Sequence, residues 1–186
     1  MASRAQRGGP GGIRLAAATK VDHICGVILV AAAGRPLADV IREQLNANPA
    51  NAPLMDAVDQ AIAELSTGRH VDGTKLPPEL APLFSPVVQG FLISSFALDP
   101  AVLAGKIAKP ILIGQGQRDL QVSVADANRL KQAAPSATLV ILPDTNHVLK
   151  EVGSDERSAN LSTYVADNLP LAPGVVDGIA RFVRSL

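Results

Sequence analysis

Three short apolar runs, separated by longer helical patterns, limit the folds open to this chain more than any other feature. They cover residues 26–32, 111–114 and 137–142. Uninterrupted apolar runs of this length are typical of strands buried on both faces. Since helical segments lie between the runs, the strands are expected to be joined by crossovers and to run parallel. The sequence therefore predicts an α/β fold, with a partial parallel sheet of about three strands and flanking helices.

The longest helical segment, residues 36–105, lies between the first two strands. It carries three amphipathic stripes and is divided into short pieces by several prolines. The most apolar stripe contains Phe84, Val88 and Phe91. These side chains are candidates for binding a substrate in an apolar cavity, and the competing interpretation is ordinary packing between helices.

The remaining segments complete the predicted domain organisation. Residues 1–12 contain a Gly/Pro cluster and are expected to form a flexible tail, so the domain would span residues 13–186. Amphipathic patterns predict helices over 123–134 and 173–185, whereas residues 143–169 are expected to be mostly loop.

Composition excludes several classes of partner and site. Lys and Arg number 17, as do Asp and Glu, so charge gives no reason to expect nucleic acid or an anionic membrane as a partner. Cys25 is the only cysteine, so an intrachain disulfide is impossible, and its place before an apolar strand predicts a packed core thiol. His23 and His70 lack partners at metal-ligand spacing, and we expect neither a metal nor a cofactor. No apolar run approaches the length of a membrane span, and we expect a soluble, cytoplasmic protein.

The chemistry-bearing residues are expected where strands end. Ligands of parallel sheets bind beyond the carboxyl ends of the strands. The second strand is followed by a segment that contains Asp119, and the third by a segment that contains His147. A carboxylate that accepts the imidazole N–H fixes the tautomer of the histidine and stabilises its protonated form. Asp119 and His147 are therefore the predicted catalytic pair.

Two other carboxylates compete with Asp119 for the acid role. Asp126 falls within a predicted helix, where we expect it to face solvent, and Asp144 is expected to form a turn. The position of Asp119 in the loop directly after a buried strand favours it over both.

The order of these elements resembles the end of the α/β-hydrolase fold. The resemblance rests on strand, Gly-x-Gly-x-x-Asp, helix, strand, loop and His, with 28 residues from Asp119 to His147. In that family the nucleophile precedes the acid and the histidine. The resemblance implies that residues 36–105 are a lid insertion. It also implies a serine hydrolase that acts on ester, amide or similar acyl bonds of a small-molecule substrate.

The chain departs from this family at the nucleophile. The family carries Gly-x-Ser-x-Gly between a strand and a helix, and no such pattern occurs here. In the best register Gly9 occupies the serine position, and the strands that precede the nucleophile would lie upstream of Met1. Ser94, Ser95 and Ser123 are the serines considered as substitutes, although Ser123 is expected to cap a helix.

Three hypotheses follow for function. The chain is a serine-hydrolase-like protein that is inactive by itself, a non-catalytic remnant or interaction module, or a truncated gene product. In each case the apolar strand at 26–32, with neither charge nor proline in its middle, is expected to leave an open edge. Such an edge favours self-association into a homo-oligomer.

Overall fold

The computed structural model describes residues 23–186. Its sheet contains strands β1 (Val27–Val30), β2 (Ile111–Gly116) and β3 (Thr138–Leu142). All pairings are parallel and the order is β1-β2-β3. The predicted fold class is therefore confirmed. The predicted tail, and Gly9 at the serine position, lie outside the described residues.

The helices follow the predicted order with one addition. The three amphipathic stripes before β2 form helices, and the predicted helices after β2 and β3 are present. A short helix at Arg157–Ser162 lies within residues 143–169, which were expected to be mostly loop. Short 3-10 helices occur at Pro49–Leu54, Gly73–Lys75 and Pro78–Leu80. The α-helices of the described chain are α1 (Leu37–Asn46), α2 (Met55–Ser66), α3 (Pro86–Phe96), α4 (Pro100–Ala104), α5 (Val124–Ala133), α6 (Arg157–Ser162) and α7 (Val175–Arg184).

The sheet is covered by helices on both faces. Ile111 and Ile113 of β2 pack with Leu130 of α5 in one hydrophobic cluster. On the opposite face, Leu142 of β3 packs with Val175 of α7. Every residue of β2 is buried, as expected for a central strand. β2 therefore holds the residues that follow it in a fixed position relative to β3.

The helices between β1 and β2 form a hydrophobic cluster of their own. Val58, Leu65 and Phe84 are fully buried in it. This separate core agrees with an inserted helical unit, and its role as a lid stays a prediction.

Cys25 and the outer edge of β1 both lie near the start of the sheet. Cys25 is exposed, so the prediction of a packed core thiol was wrong: its residue precedes β1 and lies outside the core. β1 forms one edge of the sheet in the described part of the chain, and Ile28 is 38% exposed. Self-association through this edge stays a prediction. Between residues 23 and 186, no helix has the length and apolar character to cross a bilayer.

Candidate active site

Asp119 lies in the acid loop (residues 117–122), which follows β2, and its side chain is fully buried. Its Oδ1 accepts hydrogen bonds from the backbone N–H groups of Gln121 at 2.8 Å and Val122 at 2.9 Å. Its Oδ2 accepts one from Gln115 Nε2 at 3.1 Å. The turn before α5 therefore holds Oδ1, and the side chain of Gln115 on β2 holds Oδ2.

His147 lies in the histidine loop (residues 143–150), which follows β3. Its Nδ1 is 2.9 Å from Asp119 Oδ2, so the predicted hydrogen bond is present. The ring is 28% exposed and, among the described residues, only Asp119 hydrogen-bonds to it. A neutral imidazole that donates from Nδ1 carries its lone pair on Nε2. The arrangement can thus present a base at Nε2, and the catalytic role of the pair stays a prediction.

The two loops are joined by backbone contacts. Gln117 N–H donates to the carbonyl of Leu142 at 3.0 Å, and Arg118 N–H donates to that of Thr145 at 2.9 Å. The guanidinium of Arg118 also pairs with Asp144 and Asp155. These contacts continue the pairing of β2 with β3 beyond the strand ends, which brings Asp119 and His147 together.

Gly116, the last residue of β2, allows this close approach. A Cβ at Gly116 would lie 2.1 Å from the carbonyl oxygen of Thr145, and backbone atoms cannot move aside cheaply. We expect Gly116→Ala to push the two loops apart and to lower the free energy of unfolding by about 1–3 kcal/mol, the usual range for overpacking.

Gly114→Ala is the matched control within the same strand. Its Cβ would meet Val30 Cγ2 at 3.7 Å, which is ordinary contact, so stability should change little. Urea unfolding followed by circular dichroism measures both variants. Equal stability of the two variants would contradict the close approach at Gly116.

Gln115 is a site residue that the sequence analysis missed. Its side chain is 1% exposed, and its Nε2 lies 2.9 Å from the carbonyl of Val122 as well as close to Asp119. The Oε1 atom is buried without a hydrogen-bond partner among the described residues. A glutamine at the end of an apolar strand was the available signal, because a buried amide must find partners there.

Asp126 is not the solvent-facing residue that the helical pattern predicted, and that interpretation was wrong. It is 1% exposed, and Arg35 donates to both of its oxygens, from Nε at 2.9 Å and from Nη2 at 3.0 Å. Burial alone would raise the pKa of Asp126, but the hydrogen bonds from Arg35 and from Gly34 N–H outweigh it and lower the pKa. Asp126 is therefore committed to an ion pair that joins α5 to the residues before α1.

The other rival carboxylate behaves as predicted. Asp144 lies in a turn with φ of 48° and contacts Arg118. Its side chain is 49% exposed, and Arg118 rather than His147 is its ion-pair partner. It therefore shapes the histidine loop and does not occupy the acid position.

The serines considered as substitute nucleophiles hydrogen-bond to groups other than His147. Ser94 and Ser95 hydrogen-bond to carbonyls of their own helix, those of Gly90 and Phe91. Ser123 precedes α5 and exchanges hydrogen bonds with Asp126, which confirms the predicted cap. None of these three hydroxyl groups hydrogen-bonds to His147.

The three apolar residues predicted to contact a substrate differ in how exposed their side chains are. Phe84 is fully buried in the core of the helical unit, which agrees with the competing interpretation of helix packing, and its contact with substrate stays a prediction. Val88 packs partly buried against the same core. Phe91 is 41% exposed and offers surface to a ligand, and its contact with substrate stays a prediction.

Tyr164 is a further residue at the site that the sequence analysis did not single out. Its hydroxyl oxygen accepts a hydrogen bond from Gln121 Nε2 at 3.2 Å. Burial raises its pKa, the hydrogen bond from Gln121 opposes this, and the negative charge of Asp119 adds to the rise. Within residues 23–186, no cluster of three or more His, Cys, Asp or Glu side chains is arranged to hold a metal ion.

Comparison with known proteins gives matches among solved structures only. No family model matches the sequence, and no curated protein matches it significantly. An esterase from Thermogutta terrifontis is 18% identical, with 94% of this chain and 61% of that chain covered and a TM-score of 0.47. The esterase domain of a Rhodothermus marinus protein is 18% identical, with 84% and 55% covered and a TM-score of 0.45.

An enol-lactonase from Burkholderia xenovorans is also similar. It is 22% identical, with 84% of this chain and 61% of that chain covered and a TM-score of 0.39. The chain spans about three fifths of the length of the first solved structures that it matches. At these identities and TM-scores, function has to be inferred from the side-chain geometry.

Proposed function

We propose that this chain carries the acid–histidine part of an acyl-transfer site of the α/β-hydrolase kind, which acts on ester or amide bonds. The observation that carries the proposal is the hydrogen bond of 2.9 Å between Asp119 and His147, at the carboxyl ends of adjacent parallel strands. Ligands of such sheets bind at this end. The partly exposed ring of His147, next to a fully buried carboxylate, suits a base that must reach a substrate.

Each member of the pair has a role that follows from its contacts. His147 accepts a proton from a hydroxyl nucleophile at Nε2 and returns it to the leaving group. Asp119 holds the Nδ1–H tautomer and stabilises the imidazolium that forms. Its other hydrogen bonds, from Gln115, Gln121 and Val122, keep the carboxylate from rotating away.

In this proposed function, the nucleophile and the oxyanion hole are supplied by residues outside 23–186. Ser94, Ser95 and Ser123 are hydrogen-bonded away from His147. Without an activated hydroxyl group, a base and its orienting acid cannot form an acyl-enzyme. The site therefore needs a serine or an equivalent group from an upstream segment or from another chain.

We expect a fluorophosphonate probe not to label this chain by itself. Such a probe reacts with a serine activated by a neighbouring base, and His147 hydrogen-bonds to no serine of the described residues. The measurement is intact-mass spectrometry after incubation with the probe, with an active serine hydrolase as the positive control. Stoichiometric labelling of a serine would show that the nucleophile has been misplaced.

The second arm of the test uses a longer protein that supplies the nucleophile. If the coding frame upstream encodes further strands and Gly-x-Ser-x-Gly, the extended protein should react with the probe. His147→Ala should abolish this reaction, because the base is then lost. An extended protein whose labelling survives His147→Ala would refute the proposed role of the pair.

The second candidate function is a non-catalytic interaction module. It is favoured by the edge of β1, where Ile28 is 38% exposed and the described residues supply no further strand. Edge strands of this kind pair with other chains. Absence of labelling in both the chain by itself and the extended protein would favour this candidate over the hydrolase.

A further inference from the structure

A buried polar cluster lies beside the histidine loop. It consists of Asn146, Asn160 and Thr163, whose exposed fractions are 0%, 3% and 8%. Asn146 Nδ2 donates to Asn160 Oδ1 at 3.1 Å and to Thr163 Oγ1 at 2.6 Å. Asn146 Oδ1 accepts from the N–H of Lys150 at 3.0 Å. Because burying amides is costly unless they are hydrogen-bonded, these contacts hold the cluster in one arrangement.

Asn160 of α6 joins this cluster to the acid loop. Its Nδ2 donates to the carbonyl of Arg118 at 2.7 Å, while its Oδ1 accepts from Asn146. Arg118 directly precedes Asp119, and Asn146 directly precedes His147. The side chain of Asn160 therefore hydrogen-bonds to both Arg118 and Asn146, the residues that immediately precede Asp119 and His147.

The amide of Asn160 has only one workable orientation. Reversing it would place its NH₂ group against the NH₂ group of Asn146 and its oxygen against the carbonyl of Arg118. Thr163 fixes the helix end as well, because its hydroxyl donates to the carbonyl of Asn160 at 2.8 Å. Helix α6 thus acts as a rigid spacer between the loops.

We propose that Asn160 is a positioning residue that sets the separation of Asp119 and His147 through this buried amide–hydroxyl cluster. Its importance for catalysis rests on the proposed function, but its effect on the pair is measurable without any reaction. Hydrogen bonds weaken steeply when distance and angle change, so small shifts of either loop would loosen the contact between Nδ1 and Oδ2.

The test measures the Nδ1 proton of His147 by NMR on the whole chain. The wild-type chain should show a downfield, slowly exchanging proton shared with Asp119. In Asn160→Ala this proton should exchange with solvent about tenfold faster, the equivalent of one lost hydrogen bond. Gln89→Ala is the matched control, since Gln89 is equally buried but bridges Val71 and Phe84 in the helical unit. Gln89→Ala should lower the free energy of unfolding and leave the exchange rate of the His147 proton unchanged.

Thr163 variants keep the test informative if Asn160→Ala fails to fold. Thr163→Val removes the hydroxyl that Asn146 uses while keeping the shape, and should speed exchange. Thr163→Ser retains the hydroxyl and should restore the wild-type rate. The proposal is overturned if the folded variants exchange at the wild-type rate, or if Gln89→Ala speeds exchange equally. A wild-type chain without the shared proton would instead remove the basis of the proposed function.

Discussion

Replacing Asp119 with asparagine should reverse the tautomer of His147. The Oδ1 position faces the backbone N–H groups of Gln121 and Val122, so the amide oxygen will occupy it. The NH₂ group must then take the Oδ2 position, 2.9 Å from His147 Nδ1, where only the hydrogen bond from Gln115 Nε2 is lost, against two at Oδ1 in the opposite orientation. An NH₂ group there can only donate, so the imidazole proton moves to Nε2 and the base is lost. In a serine protease, the equivalent change lowers kcat by roughly 10⁴-fold.

Long-range ¹H–¹⁵N spectra of the imidazole measure this tautomer directly, in the absence of substrate. The wild-type chain should show His147 protonated at Nδ1 in its neutral form, and Asp119→Asn should show it protonated at Nε2. Asp144→Asn is the matched control, since Asp144 contacts Arg118 and not His147. A His147 that keeps its Nδ1 proton in Asp119→Asn would contradict the orienting role of Asp119.

The sheet and the acid–histidine pair could be predicted because local signals determine them. Apolar runs between helical patterns predict parallel strands, and parallel strands place the residues that follow them at one end of the sheet. Asp119 follows β2 and His147 follows its parallel neighbour β3, so their proximity required no knowledge of side-chain packing. The hydrogen bond between them is the direct consequence.

The supporting residues could not be predicted because distant segments decide their environment. Helical periodicity places Asp126 on α5 but does not reveal that Arg35, 91 residues earlier, covers it. Asn160 likewise acquires its role only when the two loops meet. The contacts of Gln115 lie within β2 and the acid loop, and they depend on how that loop turns back over the strand end. Cys25 precedes β1 by two residues, and β1 is an edge strand of the described sheet of which only Leu29 is buried, so its apolar sequence did not reveal the exposure of Cys25.

The ion pair of Arg35 and Asp126 gives the largest expected effect on stability. The side chain of Asp126 has no exposed surface, and that of Arg35 is 22% exposed. Arg35→Ala would leave a buried carboxylate supported only by Gly34 N–H and Ser123. We therefore expect the free energy of unfolding to fall by about 3–5 kcal/mol, as when one partner of a buried ion pair is removed.

Arg42→Ala is the matched control for this loss. Arg42 pairs with two carboxylates, those of Asp39 and Asp59, but all three side chains are well exposed. Exposed ion pairs contribute roughly 0–1 kcal/mol, so urea unfolding of this variant should lie close to the wild type. If the free energy of unfolding fell by a similar amount in the two arginine variants, leaving the buried Asp126 without its partner would be no more destabilising than breaking an exposed ion pair.

Lowering the pH should reduce the difference in the free energy of unfolding between the wild type and Arg35→Ala. The pKa of Asp126 in the folded chain lies below its ordinary value of 3.8, because the hydrogen bonds from Arg35 and Gly34 outweigh burial. Its contribution to stability is therefore complete above pH 3.8 and is lost as the pH falls through the lower folded value. In Arg35→Ala burial dominates and raises the pKa of Asp126, so protonation relieves the unpaired charge at a higher pH. Unfolding curves that keep the same separation from neutral pH to below pH 3.8 would mean that the loss in Arg35→Ala comes from the packing of Arg35 rather than from the charge of Asp126.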